Sequence, residues 1–538
     1  KGGRLPRINF FGLQMIIHDH FLTPITNEMI NEAERISELT FGTKDYFNRP
    51  VWEKVRDLGY WPIKIKSLPE GSIVPEGTAL FTLESTEPWF ATTLNALETI
   101  LMHVWYPTTV ATNDYYIKKM LTPFYENSGD IANLPWAVND FGARGVTSLD
   151  AAERGGAAHL LHFRGSDNMP ASLAIEQAYN TPGRAMSVWA TEHSVATSYG
   201  PGQGEFDYLK AQLTKSDPST TISIVIDSYD SYNFIDNVAG SDEIKTIIKN
   251  RPGRVVFRPD SGDPIKMPFS IIEHLDAIFG HTVNDKGFKV LNDNVGVIQG
   301  DGMKLESIKD LYTLVTEAGY SADNIAVGSG GGLLQENFNR DTQRFAIKAS
   351  YGIDKDGHGF NIQKKPKTDM SKASKAGILE VVKYSNSDYI TKSIKDGKED
   401  QNNVLRTVYE NGQYFPEDFD TIAQRAEKEL RYNRVVEESH QVQELIQSNT
   451  DYKFKDHMVG ISHKVAYFIW AVQDLDLSVK MYEILPDDNT ESLITYDHFK
   501  PFYENPATIF AIEIEPNDIK LRDYLESYVH LTARRKNL

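Results

Sequence analysis

Between residues 138 and 350 the chain repeats one pattern, a short β-branched or apolar run that ends in a polar turn. Helix-like stretches such as FSIIEHLDAIF and KLESIKDLYTLVTEAG lie between several of these runs. Strands that alternate with helices imply a parallel sheet. About seven or eight such units predict a closed β/α barrel, and an open doubly wound sheet is the alternative. The runs are HLLHF, MSVWA, ISIVI, RVVF, VGVI, NIAV and RFAIKAS.

The polar turns after these runs are the candidate functional positions. In both folds the residues just beyond the carboxyl ends of the strands line the site. A single polar residue there is ordinary loop chemistry, but its repetition along the chain favours a shared site. The residues concerned are Asp167, Glu192, His193, Asp227, Asp230, Arg258, Asp260, Asp301 and the glycines at 328 and 330–332.

The flanking sequence predicts a second domain. Helical periodicity and short strands precede the barrel, and a polar loop, a hairpin with an Asn411-Gly412 turn and a charged helix follow it. The predicted fold class is therefore α/β, with an irregular β/α barrel, a sandwich-like α/β domain built from both flanks, and an extra C-terminal α+β segment. The predicted divisions are 1–137 and 346–440 for the flanking domain, 138–345 for the barrel, and 441–538 for the C-terminal appendage.

Composition excludes several classes of protein. The chain of 538 residues carries 56 basic and 75 acidic side chains, a net charge of −19, which disfavours binding to nucleic acid. Its longest strongly apolar run, from Val465 to Val472, is far shorter than the roughly 20 residues that a bilayer requires. We therefore expect no membrane partner. Cysteine is absent, which excludes disulfides and cysteine nucleophiles and fits a cytoplasmic location.

Three turns carry the chemistry. GSGGG (328–332) frees backbone N–H groups to approach an anion, and Arg340 and Lys348 downstream favour phosphate as that anion. RPDSGDP and QGDG supply carboxylates, which beside a phosphate bind Mg²⁺ or ribose hydroxyls. The alternatives are a tight βα turn for the glycines and self-capping turns for the aspartates.

Longer motifs resemble the nicotinamide phosphoribosyltransferases, of the type II phosphoribosyltransferase family. The resemblance runs in order from about residue 10 to about residue 440. The matching motifs are FFGLQ, VPEGTALFT, WYPTTVATN, DFGARGVTS, HFRGSD, TEHS, DSYDSYN, RPDSGDP, VIQGDG and NIAVGSGGGLLQ.

The resemblance implies a pentosyltransferase of NAD salvage. Nicotinamide and phosphoribosyl pyrophosphate would give nicotinamide mononucleotide and pyrophosphate, with Mg²⁺. The resemblance also implies that ATP is a co-substrate that phosphorylates His193, with Glu192 or Asp230 orienting the imidazole ring. Since a carboxylate at Asp167 would repel the carboxylate of nicotinate, we expect nicotinamide to be favoured.

The resemblance assigns further roles residue by residue. Phe141 is expected to stack on the pyridine ring, Asp167 to accept from the carboxamide, and Arg258 to flank the ring or reach the phosphate. The expected ribose ligands are Asp260, Gly300 and Asp301, and the expected 5′-phosphate ligands are Gly330, Gly331 and Arg340. Lys348 and Lys364 are the expected pyrophosphate ligands, and Arg144 is expected to meet phosphate or pyrophosphate. Ser187 is a further substrate-binding candidate, and Asp260 and Asp230 are the candidate metal ligands.

The resemblance also implies a homodimer with shared active sites. Members of the family carry an N-terminal TDSYK-like segment whose tyrosine stacks on the base from the partner subunit. The residues from Lys1 onward contain no such motif. The alternatives are a nicotinate phosphoribosyltransferase and a catalytically weak ligand-binding or signalling relative.

Overall fold

The computed structural model describes residues 3–368, 373–384 and 388–448, and beyond these the strands at 458–461, 480–484, 491–494 and 509–513. Side chains are described through residue 434. The chain divides into two compact units. One comprises Lys1–Gly377 and Leu405–Ala426, and the other comprises Ile378–Val404 and Glu427–Leu538.

A parallel sheet of seven strands forms the centre of the first unit. We number them barrel strands one to seven in chain order. In the sheet they stand in the order two, one, seven, six, five, four, three, so chain neighbours are also spatial neighbours. The strands are Val138–Asp140, Gly165–Ser166, Trp189–Ala190, Ile222–Val225, Val255–Arg258, Val295–Gln299 and Ile325–Ser329.

The two edges of this sheet meet. Gly165, in strand two, forms a parallel bridge with Met186, just ahead of strand three. The amide of Ser166 donates to the carbonyl of Met186 at 2.9 Å, and the amide of Met186 donates to Arg164 at 2.9 Å. The cyclic order and this bridge confirm the predicted irregular β/α barrel.

Helices cover the barrel because their apolar faces match the buried runs of the strands. Strands four and six are buried at every position, as parallel strands covered on both faces must be. The helices and helical turns that follow the barrel strands are Leu149–His159, Met169–Tyr179, His193–Ser198, Gln203–Lys215, Ser231–Asn233, Phe234–Ala239 (a π-helix), Asp242–Asn250, Lys266–Phe279, Leu305–Glu317 and Gly331–Leu334.

Two predicted strands are wrong. HLLHF (159–163) is the end of the helix Leu149–His159 and the turn after it, and RFAIKAS (344–350) forms no strand. The barrel has seven strands, within the predicted seven or eight, because Val138–Asp140 and Gly165–Ser166 supply the first two. Arg344 adopts a positive φ of 52°, which a strand backbone does not allow. The exposed Ala346 and Lys348 that follow have no sheet face to cover.

A four-stranded antiparallel sheet draws on both flanks of the barrel. Ile63–Ser67 pairs with Phe81–Ser85 on one side and with Arg406–Glu410 on the other. Arg406–Glu410 and Gln413–Tyr414 form the predicted hairpin, and Asn411 and Gly412 take the positive φ angles that a tight hairpin turn requires. Other strands of this unit are Arg7–Asn9, Ile73–Pro75, His281–Val283, Lys289–Leu291, Tyr351–Ile353 and Gly359–Asn361.

The helices of the N-terminal flank precede the barrel. They are Leu13–Phe21, Asn27–Phe41, Arg49–Leu58, Glu98–Met102 and Trp105–Ser128, with 3₁₀ turns at Pro88–Phe90, Leu94–Leu97, Ile131–Trp136 and, within the barrel, Ala322–Asn324. The predicted charged helix extends over Phe419–Ser448.

The described strands of the second unit form two antiparallel sheets. One pairs Leu379–Val382 with Ile390–Ser393. The other has four strands in the order Met458–Ile461, Ile509–Glu513, Lys480–Ile484, Glu491–Ile494. IFAIEIE thus contains the strand that its alternation predicts, whereas VAYFIWAV and the predicted helix NDIKLRDYLESYV lie outside the described residues.

None of the helices in the described part of the chain combines the length and the apolar character needed to cross a bilayer. The predicted domain boundaries near residues 137, 345 and 440 stay a prediction.

Candidate functional site

Each of the seven barrel strands is followed, beyond its carboxyl end, by a turn that carries candidate residues. Because the strands are parallel, these turns share one end of the barrel. In strand order they bring Phe141, Asp167, Glu192 with His193, Asp227 with Asp230, and Asp260 to that end. Gly300 and Asp301 follow strand six, and Gly330 and Gly331 follow strand seven.

His193 is paired with a carboxylate from the next strand. Its Nε2 lies 2.9 Å from Oδ1 of Asp227. The imidazole side chain is 41% exposed and the carboxylate side chain 6% exposed. No hydrogen bond to Nδ1 of His193 is found among the described residues. The pair therefore combines an anchored nitrogen with a second one open to solvent.

The carboxylate that contacts His193 is Asp227 and not one of the two predicted ones. Asp230 instead caps the helical turn that follows, since its Oδ1 accepts from the amides of Tyr232 and Asn233 at 3.0 Å each. Glu192 is exposed at the N-cap of His193–Ser198. The position of Asp227 directly after the buried run ISIVI was the available sequence signal.

A buried network holds the segment that carries His193. Thr191 accepts at Oγ1 from the hydroxyl of Tyr208 at 2.6 Å and from the amide of Val225 at 2.9 Å. Burial raises the pKa of Tyr208 to about 12, so its hydroxyl keeps the proton that it donates. Arg258 donates from Nη2 to the carbonyl of Thr191 at 2.7 Å. Sequence reasoning identified neither Thr191 nor Tyr208, because their contact joins residues 17 positions apart.

Phe141, the predicted stacking residue, packs against the backbone of strand seven. A Cβ on Gly328 would overlap the aromatic ring of Phe141. The amide of Phe141 also donates to the carbonyl of Ser329 at 3.0 Å. Gly328, predicted as part of a phosphate loop, therefore provides the surface on which this ring rests.

Asp167 lies in the turn after strand two. Burial of its carboxylate and the nearby negative charge of Asp140 raise the pKa of Asp167, although the residue as a whole stays exposed. Both effects disfavour the ionised carboxylate.

The ends of strands five and six approach each other closely. A Cβ on Gly300 would overlap the carboxylate of Asp260 and come within 3.4 Å of Arg258. Gln299 is 1% exposed and donates from Nε2 to the carbonyl of Asp301 at 2.9 Å, which fixes the QGDG turn. The absence of a side chain at Gly300 thus admits the Asp260 carboxylate.

The predicted anion ligands are exposed. Arg340 donates to Asp341 at 3.1 Å, and the backbone amide of Lys364 donates to Ser374 at 2.9 Å. The side chains of Arg144, Ser187 and Lys348 face solvent. The structure shows no hydrogen bond or ion pair between these five described residues and the candidate residues at the strand ends. That they bind substrate together with those residues stays a prediction.

The candidate metal ligands Asp230 and Asp260 do not belong to a cluster of three ligand side chains among the described residues. Within the described residues, the one set of three ligand side chains close enough for a shared ion is Asp354, Asp356 and His358, which form an exposed hairpin turn. Asp230 uses one oxygen for capping. Asp260 can contribute to a Mg²⁺ site without such a cluster, because Mg²⁺ commonly binds one or two carboxylates and completes its coordination shell with water and substrate phosphate.

Comparison with known proteins found a matching family profile, similar sequences and similar solved structures. A profile of the nicotinate phosphoribosyltransferase (NAPRTase) family matches residues 136–413. A nicotinamide phosphoribosyltransferase of Xanthomonas campestris pv. campestris is 39% identical over 426 residues, which cover 78% of this chain and 89% of the relative. One of Acinetobacter baylyi is 32% identical over 458 residues, which cover 79% and 89%. The crystal structure of human nicotinic acid phosphoribosyltransferase aligns with a TM-score of 0.45 at 16% identity, over 80% of this chain and 86% of that one.

Proposed function

The chain belongs to the nicotinate phosphoribosyltransferase family, and from this premise we propose that it transfers the phosphoribosyl group of phosphoribosyl pyrophosphate to nicotinamide. The observation that carries the choice of base is the carboxylate of Asp167, one strand away from the ring of Phe141 at the same end of the barrel. Two relatives named nicotinamide phosphoribosyltransferase support the same choice.

Asp167 discriminates between the two pyridine bases by charge. Its carboxylate accepts a hydrogen bond from the carboxamide N–H of nicotinamide while Phe141 stacks on the ring. The carboxylate of nicotinate in the same position would face a like charge, which costs binding energy. The specificity therefore depends on one side chain.

Base specificity is tested with the two bases at equal concentration. The purified chain is incubated with phosphoribosyl pyrophosphate, Mg²⁺ and either base, and the mononucleotide is quantified by chromatography. We expect turnover with nicotinamide and little with nicotinate. Equal rates would overturn the assignment of the base, and no product from either base would favour a ligand-binding relative.

The transfer breaks the bond between ribose C1 and the pyrophosphate oxygen and forms a bond from C1 to the pyridine nitrogen. The transition state is oxocarbenium-like, so the enzyme must stabilise a cationic sugar and the departing pyrophosphate together. Asp260 and Asp301 hold the ribose hydroxyls, and Asp260 would also hold Mg²⁺, which supplies positive charge beside the pyrophosphate. The basic pyrophosphate ligands are Arg144, Lys348 and Lys364. Arg340 and the glycine turn bind the 5′-phosphate.

ATP phosphorylates His193. Because the Asp227 carboxylate can only accept, it holds the proton of the imidazole on Nε2 and leaves the lone pair of Nδ1 for attack on the γ-phosphoryl group. The phosphorus–oxygen bond to ADP breaks as the bond to Nδ1 forms. We therefore expect 1-phosphohistidine.

Antibodies specific for 1-phosphohistidine and for 3-phosphohistidine distinguish the two ring nitrogens after incubation with ATP. A signal from the 1-isomer alone supports the role of Asp227. A signal from the 3-isomer would mean that Nε2 attacks and that this hydrogen bond does not set the tautomer.

The active protein is a homodimer. Exposed apolar side chains lie just ahead of strand three and at its first residue, at Met186, Val188 and Trp189. Such a patch beside the site fits an interface near the active residues. Light scattering coupled to size-exclusion chromatography measures the mass in solution, and a monomer with full activity would exclude shared active sites.

A further inference from the structure

We propose that Asp140 and Asn168 form a positioning pair that fixes Phe141 relative to Asp167 and thereby sets the affinity for the base. The proposal rests on the proposed function, because it concerns the two residues assigned to nicotinamide. Neither member of the pair touches the base in this assignment. They act through the residues that follow and precede them in the chain.

The pair joins the first two barrel strands at their carboxyl ends. Asn168 donates from Nδ2 to Oδ2 of Asp140 at 2.9 Å. Asp140 is 0% exposed and Asn168 is 1% exposed. A hydrogen bond between an ionised acceptor and a neutral donor, closed to water, is stronger and more directional than one at the surface.

On the side of Phe141, the same carboxylate shapes the turn. Oδ1 of Asp140 accepts from the amide of Gly142 at 2.8 Å, so the carboxylate closes a loop around Phe141. The ring is confined from the opposite side by Gly328, where a Cβ would overlap it. The position of Phe141 is thus defined by its two chain neighbours and by strand seven.

On the side of Asp167, the amide group of Asn168 makes three contacts. Besides Asp140, Nδ2 donates to the carbonyl of Ala152 at 2.9 Å, and Oδ1 accepts from the amide of Ala171 at 3.2 Å as the N-cap of Met169–Tyr179. The backbone amide of Asn168 donates to Oγ of Ser166 at 3.1 Å. Asp167 therefore lies between two residues whose positions are fixed.

The chemistry of the pair favours positioning over stability alone. Among the described residues Asp140 forms no salt bridge, and burial of its carboxylate costs free energy that apolar packing would not, although its electrostatic interaction with His159 offsets part of that cost. A cap for the helix needs only a short polar side chain at 168, such as serine. The additional link to a buried carboxylate is what connects the two turns that contact the base.

A swap of donor and acceptor tests the link. Asn168→Asp keeps an oxygen for the cap but places two carboxylates together, which pushes the turns apart. We expect the KM for nicotinamide to rise about tenfold, with a KM for phosphoribosyl pyrophosphate that changes less than about twofold. Adding Asp140→Asn to this variant restores a donor opposite an acceptor between positions 140 and 168, whereas the carbonyl of Ala152 still lacks its donor. The KM for nicotinamide should therefore fall by about threefold from that of Asn168→Asp, a partial rescue.

Asn168→Ser is the second variant, for use if Asn168→Asp does not fold. Serine retains the cap and is too short to reach Asp140. Ser148→Ala is the matched control, because Ser148 caps the preceding helix by accepting from Ala151 at 3.1 Å and has no contact with Asp140. We expect this control to lower the melting temperature and to leave both KM values unchanged.

An unchanged KM for nicotinamide in folded Asn168→Ser would overturn the proposal. So would a parallel rise of both KM values, which would indicate a general loss of structure. Failure of the proposed function is a separate outcome, since the unsubstituted chain would then give no nicotinamide mononucleotide at all.

Discussion

Two histidine–aspartate pairs of similar length lie in different parts of the first compact unit. In one, Nε2 of His193 is 2.9 Å from Asp227 at the end of the barrel. In the other, Nδ1 of His159 is 2.8 Å from Asp114, and both side chains are 0% exposed. The residue types and distances nearly coincide, and the surroundings differ.

The difference is in the second ring nitrogen. Nε2 of His159 donates to the carbonyl of Gly165 at 3.0 Å, so both nitrogens of this ring are occupied. Gly165 begins strand two, and Asp167 follows two residues later. The buried pair therefore fixes a strand, whereas the pair of His193 keeps one nitrogen available for chemistry.

The protonation of His159 also depends on its buried partner. Burial alone would lower the pKa of His159, but the neighbouring Asp114 carboxylate outweighs that effect and raises the pKa. Burial in turn raises the pKa of Asp114 to about 6, so both members of this pair respond to their buried surroundings. A histidine with two acceptors can stabilise a fold, and a histidine with one acceptor can act as a nucleophile.

The largest expected effect breaks the exposed pair. His193→Ala should abolish the phosphohistidine and the stimulation of synthesis by ATP, because no nucleophile remains, yet weak synthesis without ATP should persist. The measurements are the phosphohistidine signal and the rate of mononucleotide formation with and without ATP. A variant that kept full stimulation by ATP would show that another residue is phosphorylated.

The buried pair should respond in stability. His159→Leu leaves Asp114 buried without a partner and should lower the free energy of unfolding by about 3–5 kcal/mol, measured in urea. The double variant with Asp114→Leu removes both charges and should recover most of that loss. If the double variant were as unstable as the sum of the single changes, the pair would not act as a unit.

The barrel strands show how much of the fold the sequence could predict. Mostly apolar runs such as ISIVI, interrupted only by the small Ser223, predicted buried parallel strands, because burial on both faces favours apolar or small residues along the whole run. RFAIKAS has similar composition but fails at Arg344, where the backbone takes a positive φ that no composition reveals. Local pattern therefore predicted the barrel and its number of strands, but two of the seven runs it identified are not strands.

The partner of His193 could not be chosen from the sequence. Glu192, Asp227 and Asp230 all lie in strand-end turns, and the turn conformation sends the Asp230 carboxylate to a cap instead. The link from Asp140 to Asn168 spans 28 positions and depends on which strands become neighbours. Roles that arise from tertiary contact leave no local signal.

The pH dependence sharpens the comparison further. The folded state raises the pKa of His159, so the stabilisation from this group is present below the unfolded value of about 6.5 and is lost as the pH rises through the folded value. Burial also raises the pKa of Asp114 to about 6, so the ion pair itself weakens as the pH falls through that value. Each unit by which the pKa is raised corresponds to about 1.4 kcal/mol. We expect unfolding in urea to become easier across this alkaline range. The neutral double variant His159→Gln with Asp114→Asn should lack this component, and an unaltered pH profile in that variant would contradict the assignment.

The smallest expected effect concerns Asp167, which the buried pair anchors only indirectly. Asp167→Ser removes the like charge that nicotinate would meet, so the preference for nicotinamide should narrow, by up to about tenfold. The ratio of kcat/KM for the two bases measures it. His159→Gln is the matched comparison, because it disturbs the anchor of strand two without changing any charge at the base, and it should leave the ratio nearly unchanged.

Since burial and Asp140 raise the pKa of Asp167, the preference of the unsubstituted enzyme for nicotinamide should also weaken as the pH falls and the carboxylate takes up a proton. Asp167→Ser should show no such trend. A preference that survives in Asp167→Ser at every pH would mean that ring stacking or another polar group selects the base, and that Asp167 has no part in the choice.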